Sequence, residues 1–396
     1  VSETIGVGYP SLTLTVNFSG STWTDISEYI RSISIERGSS EETGKFPVGT
    51  MTVVLDNRTG RFTPANTSGP YSSAGVSQVL PEIGVRLKAT YSATDYVLFA
   101  GIVEDWQDEF PMHGKDAVTY LTVVDYLAEV AAWEGTDETL VTEPIPSDMI
   151  AHICDEAGNV STIYSAGLGD EQIQPIPLVG NGLDLAHLVV DSEGGALYYA
   201  PNAGGSDGGI RFISRSGRVS FAKYNTVQAT FSSSSVKFRD PVVSSNRGKI
   251  VRQADLQRVG GTLQTSGSGT PKVARDDLVN VSDSGVKAVA DLLVAIGDPA
   301  DNYRVREVTV DPIRTASWAT VLPLDMVFLC RVVLAPPVTG VTIDREVFVD
   351  GIRHEITISP QRSWSITYQF ASATAWRTYD YGAWNSAVWQ TDEWFF

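Results

Sequence analysis

The 396-residue chain is 42% hydrophobic and 19% charged, enough apolar material for more than one core and for about two to four domains. Its formal net charge of −18 argues against a protein that grips nucleic acid through phosphates, since that needs clustered Lys and Arg. No stretch approaches a membrane span, the opening VSETIGVGYP lacks the basic-then-apolar pattern of a secretory leader, and the widely spaced Cys154 and Cys330 read as buried thiols.

Leu12, Leu14, Val16 and Phe18 alternate as one strand, and a second covers 29–35 with Ile33 and Ile35 on one face. That strand leaves through Arg37-Gly38 into the acidic loop SSEET. Met51, Val53 and Leu55 then alternate in a third strand, stopped by Asp56-Asn57-Arg58-Thr59-Gly60. Asp, Asn and Gly tolerate the left-handed backbone of a turn, and Pro64 keeps Thr63 extended beyond it. After a Ser/Gly-rich loop over 68–78, strands follow at 85–91, 98–106 and 117–124. Short, closely spaced strands of this kind predict a closed or sandwiched antiparallel sheet, so residues 1–135 read as a β-barrel domain.

The middle changes character. Met149, Ile150, Ile153, Cys154 and Ala157 form a helical stripe from an N-cap at Ser147 to a stop at Gly158. A second helix covers 183–192 and ends at Gly194-Gly195. Strands are expected at 196–199, 210–214 and 218–222, the last two joined by a hairpin turn at 214–217, with a flexible loop at 202–209. Residues 136–235 therefore read as a small α+β insert.

The last third returns to β. A strand is expected over 249–258, and 262–270 reads as a mobile or partner-ordered Gly/Ser/Thr loop. Asp283 caps a helix whose Val286, Val289, Ala290, Leu293 and Ile296 share a face, with Gly297 and Pro299 as its stop. Strands follow at 303–310, 326–334 and 346–349, then an alternating pair at 352–358 and 364–370. Residues 236–370 thus read as a second barrel with one helix. The tail, 371–396, crowds Trp376, Tyr379, Tyr381, Trp384, Trp389, Trp394, Phe395 and Phe396 together, a density enriched at interface cores.

His354-Glu355-Ile356-Thr357-Ile358 lacks the second His of a zinc-protease motif and lies in a strand pattern. His113, His152, His187 and His354 have no metal-ligand spacing, and the loop 204–209 offers one carboxylate, too few for calcium. Glu104-Asp105 and Asp108-Glu109 flank Trp106 as a sugar-cleaving site would, yet acidic pairs beside aromatics are common on the rims of acidic barrels. No nucleophile elbow or phosphate loop is present, so the sequence offers no active site, cofactor or metal.

The run Glu36-Arg37-Gly38, acidic loop, GTMTVVLDNRTGRFTPAN, then Pro70-Tyr71 resembles the N-terminal domain of hub-type minor tail proteins of long-tailed actinobacteriophages. Those proteins are related in fold to the baseplate hub of contractile tails. LFAGIVEDW at 98–106, EGGALYY at 193–199 and VFVDGIRHEITI at 347–358 extend the resemblance over most of the chain. It implies a mainly β, baseplate-hub-like fold: two tail-tube-like β-barrels with a small mixed domain between them. It also implies a structural, non-enzymatic virion protein at the tail tip, made in the host cytoplasm. There a homotrimer would close the tail tube, adapt sixfold to threefold symmetry, and let the tape measure protein and DNA pass. Its partners would be further copies of itself, the distal tail ring protein, the tape measure protein and other minor tail proteins. Arg37, Arg58, Arg61 and Phe62, with Trp384, Trp389, Trp394 and Phe396, are the expected subunit or partner contacts. Two other readings are a hexameric distal tail ring protein and a carbohydrate-binding adhesion tip using Trp106 or the terminal aromatics.

Overall fold

In the computed structural model, residues 8–378 are described except 21, 39–44, 159, 167, 202–207, 302, 316 and 337–339. The period-two stretches of the first third become β1 (Ser11–Val16), β2 (Ile30–Gly38), β3 (Thr50–Asp56), β4 (Gly84–Tyr91), β5 (Thr94–Glu109) and β6 (Val118–Val124). Leu14, Val16, Ile33, Ile35, Met51, Val53, Leu55, Val85 and Leu87 are all buried. Each such side chain withdrawn from water contributes about 1.5–3 kcal/mol, so the alternation dictates which face turns inward. Register follows: Ile33 pairs with Val53 and Ile35 with Met51, while Val53 pairs on its other side with Leu121 of β6.

The insert holds α1 (Pro146–Glu156), α2 (Gly182–Glu193), β7 (Ala196–Ala200) and β8 (Gly209–Ile213). Helix α1 starts two residues earlier than its pattern predicts. Pro146, whose fixed φ suits the first helical position, leads from an Ile145 cap, and Ser147 lies buried inside the first turn. Asn181 caps α2 by accepting from the amides of Leu183 (3.1 Å) and Asp184 (3.3 Å), and Gly194 ends it at φ 72°. The expected hairpin at 214–217 is instead an entry into two short helices, Gly217–Ser220 and Ala222–Asn225. Ser214 Oγ accepts the Gly217 amide (3.1 Å) and Asp170 accepts the Ser216 amide (2.8 Å), which tightens the chain into a helical turn.

The last third contains β9 (Arg239–Ser245), β10 (Gln253–Arg258), β11 (Gln264–Gly267), β12 (Lys272–Leu278), α3 (Asp283–Ile296), β13 (Tyr303–Val310), β14 (Leu329–Leu334), β15 (Ile343–Thr357), β16 (Ser363–Ser372) and α4 (Thr374–Thr378). The 262–270 stretch is no loose loop, because β11 pairs antiparallel with β10 and forms a three-stranded sheet with β12. Apolar residues of that sheet and α3, among them Leu256, Leu278, Val286 and Val289, make a small core of their own. Ser282, not Asp283, caps α3, accepting the Gly285 amide at 3.1 Å; Asp283 turns away to take the Arg258 guanidinium at 2.6 Å.

The two expected β regions are one sheet of thirteen strands. Its order is β9-β13-β16-β15-β2-β3-β6-β5-β4-β1 and then the two-residue strand Thr24–Asp25, with β14 off the path on β15 and the three-residue strand Ala229–Phe231 parallel to β14. Two closed cylinders were expected, but among the described residues this order is open at both ends. The reason lies in β15, read from sequence as two strands and found as one of fifteen residues. Its first half pairs with β14; after a bulge at Val349/Gly351 its second half pairs with β2, setting His354 against Ile35 and Ile356 against Ile33. Strand β2 thus uses both edges, on β3 and on β15, so the first-third strands cannot close on β2. A single hydrophobic core accordingly joins Leu14–Val123 residues to Val305, Trp364, Tyr368 and Phe370.

Candidate functional site

The turn at 56–60 was the sequence's first candidate contact, and its geometry is now explicit. Asp56 accepts from the Arg58 amide (3.1 Å) and from Arg58 Nε (2.9 Å), and Arg31 of β2 reaches Asp56 (3.4 Å) and Asp116 (2.7 Å). Hydrogen bonds from Arg58 hold the Asp56 carboxyl below its usual range, as those from Arg31 do for Asp116. Asn57 closes the turn: its Oδ1 accepts the Phe62 amide (3.0 Å) and its Nδ2 donates to Thr63 (3.0 Å) and Asp108 (3.1 Å).

The four described contact candidates separate. The Arg58 side chain is 60% exposed. Arg61 lies flat on Tyr29, 4.0 Å from the ring centroid, and bonds its hydroxyl. Phe62 is fully buried among Tyr29, Tyr71 and Trp106. Arg37 is buried too: its Nη2 donates to the Tyr199 carbonyl (2.7 Å) and to Asp325 (2.9 Å). Trp384, Trp389, Trp394 and Phe396 lie outside the described residues.

The carboxylates near Trp106 do not form a sugar site with it. Trp106 faces the core and donates its Nε1 proton to the Leu80 carbonyl (2.9 Å), while Asp108 accepts from Thr119 (2.5 Å) and Asn57. A bulge between Val103 and Asp105 in β5 leaves both Glu104 and Asp105 in solvent and returns Trp106 to the inside. His354 is likewise structural: buried on β15, it accepts the Trp364 Nε1 proton at Nδ1 (3.2 Å). Burial, reinforced by the charge of Arg37, pushes its pKa down to about 3. Both cysteines are buried, free thiols pushed up to about 12, far from the thiolate form that reacts.

Sequence reading missed several acids that hold backbone loops in place. Asp125, after β6, accepts the amides of Gly49 (2.8 Å) and Leu127 (3.0 Å), and burial lifts its pKa to about 7. In the insert, Asp170 and Arg215 pair at 3.3 Å, and Glu193 accepts the amides of Asp170 (2.9 Å) and Arg215 (3.3 Å). Burial and then the Asp170 charge raise Glu193 as well. Shifted acids often mark catalytic sites, but Asp125 and Glu193 are buried and accept backbone amides, so they hold loops in place. Apart from the Leu127 amide beside Asp125, their partners lie tens of residues away, beyond the reach of a local motif.

Two clefts remain. One, of about 440 Å³, is polar and lined by Lys45, Asp184, His187, Asp191, Arg275 and Asp277. The other, of about 560 Å³, lies between α2, α3 and the β10–β12 sheet and is mostly apolar. Among the described residues no group of three or more His, Cys, Asp or Glu is arranged to hold a metal ion, and no helix is long and apolar enough to cross a membrane.

No family model and no curated protein matches the sequence. The fold is matched in solved structures. The 43 kDa tail protein of prophage MuSo2 from Shewanella oneidensis superposes with a TM-score of 0.59 at 12% identity, over 93% of this chain and 98% of that one. A tail protein from Neisseria meningitidis gives 0.60 at 11% identity, with the same coverage of 93% and 98%. A type VI secretion component of E. coli, described as structurally similar to the T4 bacteriophage tail proteins gp27 and gp5, gives 0.52 at 9% identity over 87% of this chain and 73% of that one. At these identities the likeness is one of fold.

Proposed function

We propose that the chain is a structural, non-enzymatic protein of a phage tail tip, a baseplate-hub-like component at the distal end of the tail tube. The observation that carries this reading is the full-length likeness to two phage tail proteins, spanning 93% of this chain and 98% of each of theirs. A fold alone does not set function, and here the shared architecture is joined by the motif resemblance of the first seventy residues.

In this reading residues 1–135 and 236–370 are the two β lobes, 136–235 the mixed insert, and 371–396 the aromatic C-terminal tail. Three copies in head-to-tail contact would bring six such lobes around one pore, adapting a sixfold tube to threefold tip components. The net charge of −18 supports a lumen that DNA and the tape measure protein traverse without adhering. The end strands β9 and Thr24–Asp25, with exposed Arg58 at the 56–60 turn, are the surfaces we assign to contacts with other copies and with the distal tail ring and minor tail proteins. The virion would be a siphovirus of an actinobacterial host, with this protein made in that host's cytoplasm and involved in genome ejection.

The test is to locate the chain in images of assembled tails and count its copies by symmetry. Three copies around the axis at the distal end support the proposal. Six copies would make it the distal ring, and a location on a peripheral fibre would make it an adhesin.

A further inference from the structure

Three ionisable side chains meet out of water where the chain leaves the insert. Asp170 lies in the loop 168–175, Glu193 ends α2, and Arg215 follows β8. The Asp170 and Arg215 side chains are 4% and 7% exposed, and Glu193 is 3% exposed. Asp170 Oδ2 accepts from Arg215 Nε (3.3 Å) and from the Ser216 amide (2.8 Å), and its Oδ1 accepts from the Ser216 hydroxyl. Glu193 Oε1 accepts from the amides of Asp170 (2.9 Å) and Arg215 (3.3 Å). Two carboxylates thus converge on the amides of adjacent residues, 215 and 216, with one guanidinium to answer them.

Ionised together, the two acids would set two negative charges against one positive charge in a site screened from water, where like charges repel strongly. A single proton removes the excess. Glu193 can carry it without losing a contact, because both of its amide bonds end on Oε1, whereas Asp170 commits each oxygen to a donor. Burial first, and the Asp170 charge second, accordingly lift the Glu193 pKa to about 8. The charged neighbours are engaged elsewhere. Glu171 accepts the Ser282 amide (3.2 Å) at the start of α3, Arg218 donates to the Gly195 carbonyl (3.1 Å), and Asp191 of α2 pairs with Lys45 and Arg275. From α3 it is Val289 and Leu292 that reach this corner, beside Gly194.

We propose that Asp170, Glu193 and Arg215 form a proton-dependent clasp: protonated, it holds the loop 168–172 to the turn 214–217, and deprotonated, it lets both open while the main sheet stays folded. In the open form Glu193 is in water and ionises near 4.5, against about 8 when closed. Between those values each rise of one pH unit lowers the closed-to-open ratio up to about tenfold, and above about pH 8 the ratio levels off. The turn leads through Gly217–Ser220 and Ala222–Asn225 to the strand Ala229–Phe231, which pairs with β14. Opening the clasp therefore loosens the path by which the insert rejoins the main sheet.

Amide hydrogen exchange on the full-length protein, normalised to the intrinsic rate at each pH, tests this. At about pH 7 the amides of Asp170, Arg215 and Ser216 should be protected at least about a hundredfold less than those of Val53 and Leu121 in the main sheet. Their protection should fall by a further factor of about five or more at about pH 8.5. Glu193→Gln keeps the amide acceptor and does not ionise, so it should remove that fall. Carboxyl NMR titration of the wild type needs no variant: Glu193 should titrate above about pH 6.5. Equal protection at clasp and sheet, no fall in the wild type, a fall that persists in Glu193→Gln, or a Glu193 titration below about pH 6.5 each overturns the proposal.

Discussion

Arg37 of β2 donates to Asp325, 288 positions later, across 2.9 Å, with side chains only 7% and 13% exposed. The same Nη2 reaches the Tyr199 carbonyl at 2.7 Å, so one guanidinium fastens the first third, the insert and the last third together. Breaking a buried pair leaves an uncompensated charge, which costs about 3–5 kcal/mol. Arg37→Met and Asp325→Leu should therefore each destabilise strongly, while the double variant recovers much of the loss. Urea unfolding of the four proteins measures this, and additive losses would show that the pair is not coupled.

Gly38 is the next residue, and the junction with β15 needs it. At φ 93°, a Cβ added there would lie 2.3 Å from the Asp350 carbonyl. Gly38→Ala should cost more than about 1 kcal/mol and speed exchange in the amides that pair β2 with β15. Exchange unchanged at those amides would mean that the strands part easily without consequence.

Asp125 predicts a fall in stability with rising pH. The folded carboxyl keeps its proton up to about 7, against 3.8 ordinarily, so between those values the unfolded chain binds fewer protons. Asp125→Asn removes this titration, although it gives up one amide acceptor. Relative to the wild type it should gain about 2–3 kcal/mol between about pH 5 and pH 7. Denaturation at the two pH values would contradict this if the difference stayed constant.

His354 acts with the opposite sign. It stays neutral in the folded chain down to about 3, whereas the unfolded imidazole takes a proton near 6.5, so stability is lost as pH falls through that interval. His354→Gln keeps an acceptor for the Trp364 indole and does not titrate. Its deficit against the wild type at neutral pH should shrink by about 2 kcal/mol near pH 5.

Phe62 and Arg58 separate packing from contact. Phe62→Ala opens a cavity beside Trp106 and should cost about 3–5 kcal/mol. Arg58→Glu gives up the exposed bonds to Asp56, so it should lower the melting temperature of the isolated chain only slightly and weaken its self-association, read by sedimentation at several concentrations. Association unaffected by Arg58→Glu would remove that turn from the proposed assembly.

Local sequence carried most of the strands and the helix stripes, because period-two and period-3.6 alternation is imposed by which face meets water. It read Ile33, Ile35, Met51, Val53, Leu55, Trp364, Ile366, Tyr368 and Phe370 as one-faced, and all are buried. It also placed the 56–60 turn and the end of α2 at Gly194, where backbone conformation is a property of a few neighbouring residues. Partnership was decided elsewhere. Whether β2 would meet its own neighbours or β15, whether Arg218 would extend a hairpin or cover Trp376, and whether 264–267 would lie loose or pair with β10 depended on residues up to hundreds of positions apart. Arg37 and Phe62, polar and apolar candidates for an outer contact, were drawn inward for the same reason. A buried charge needs its distant counter-charge and a ring needs its distant neighbours, and only the folded chain brings those together.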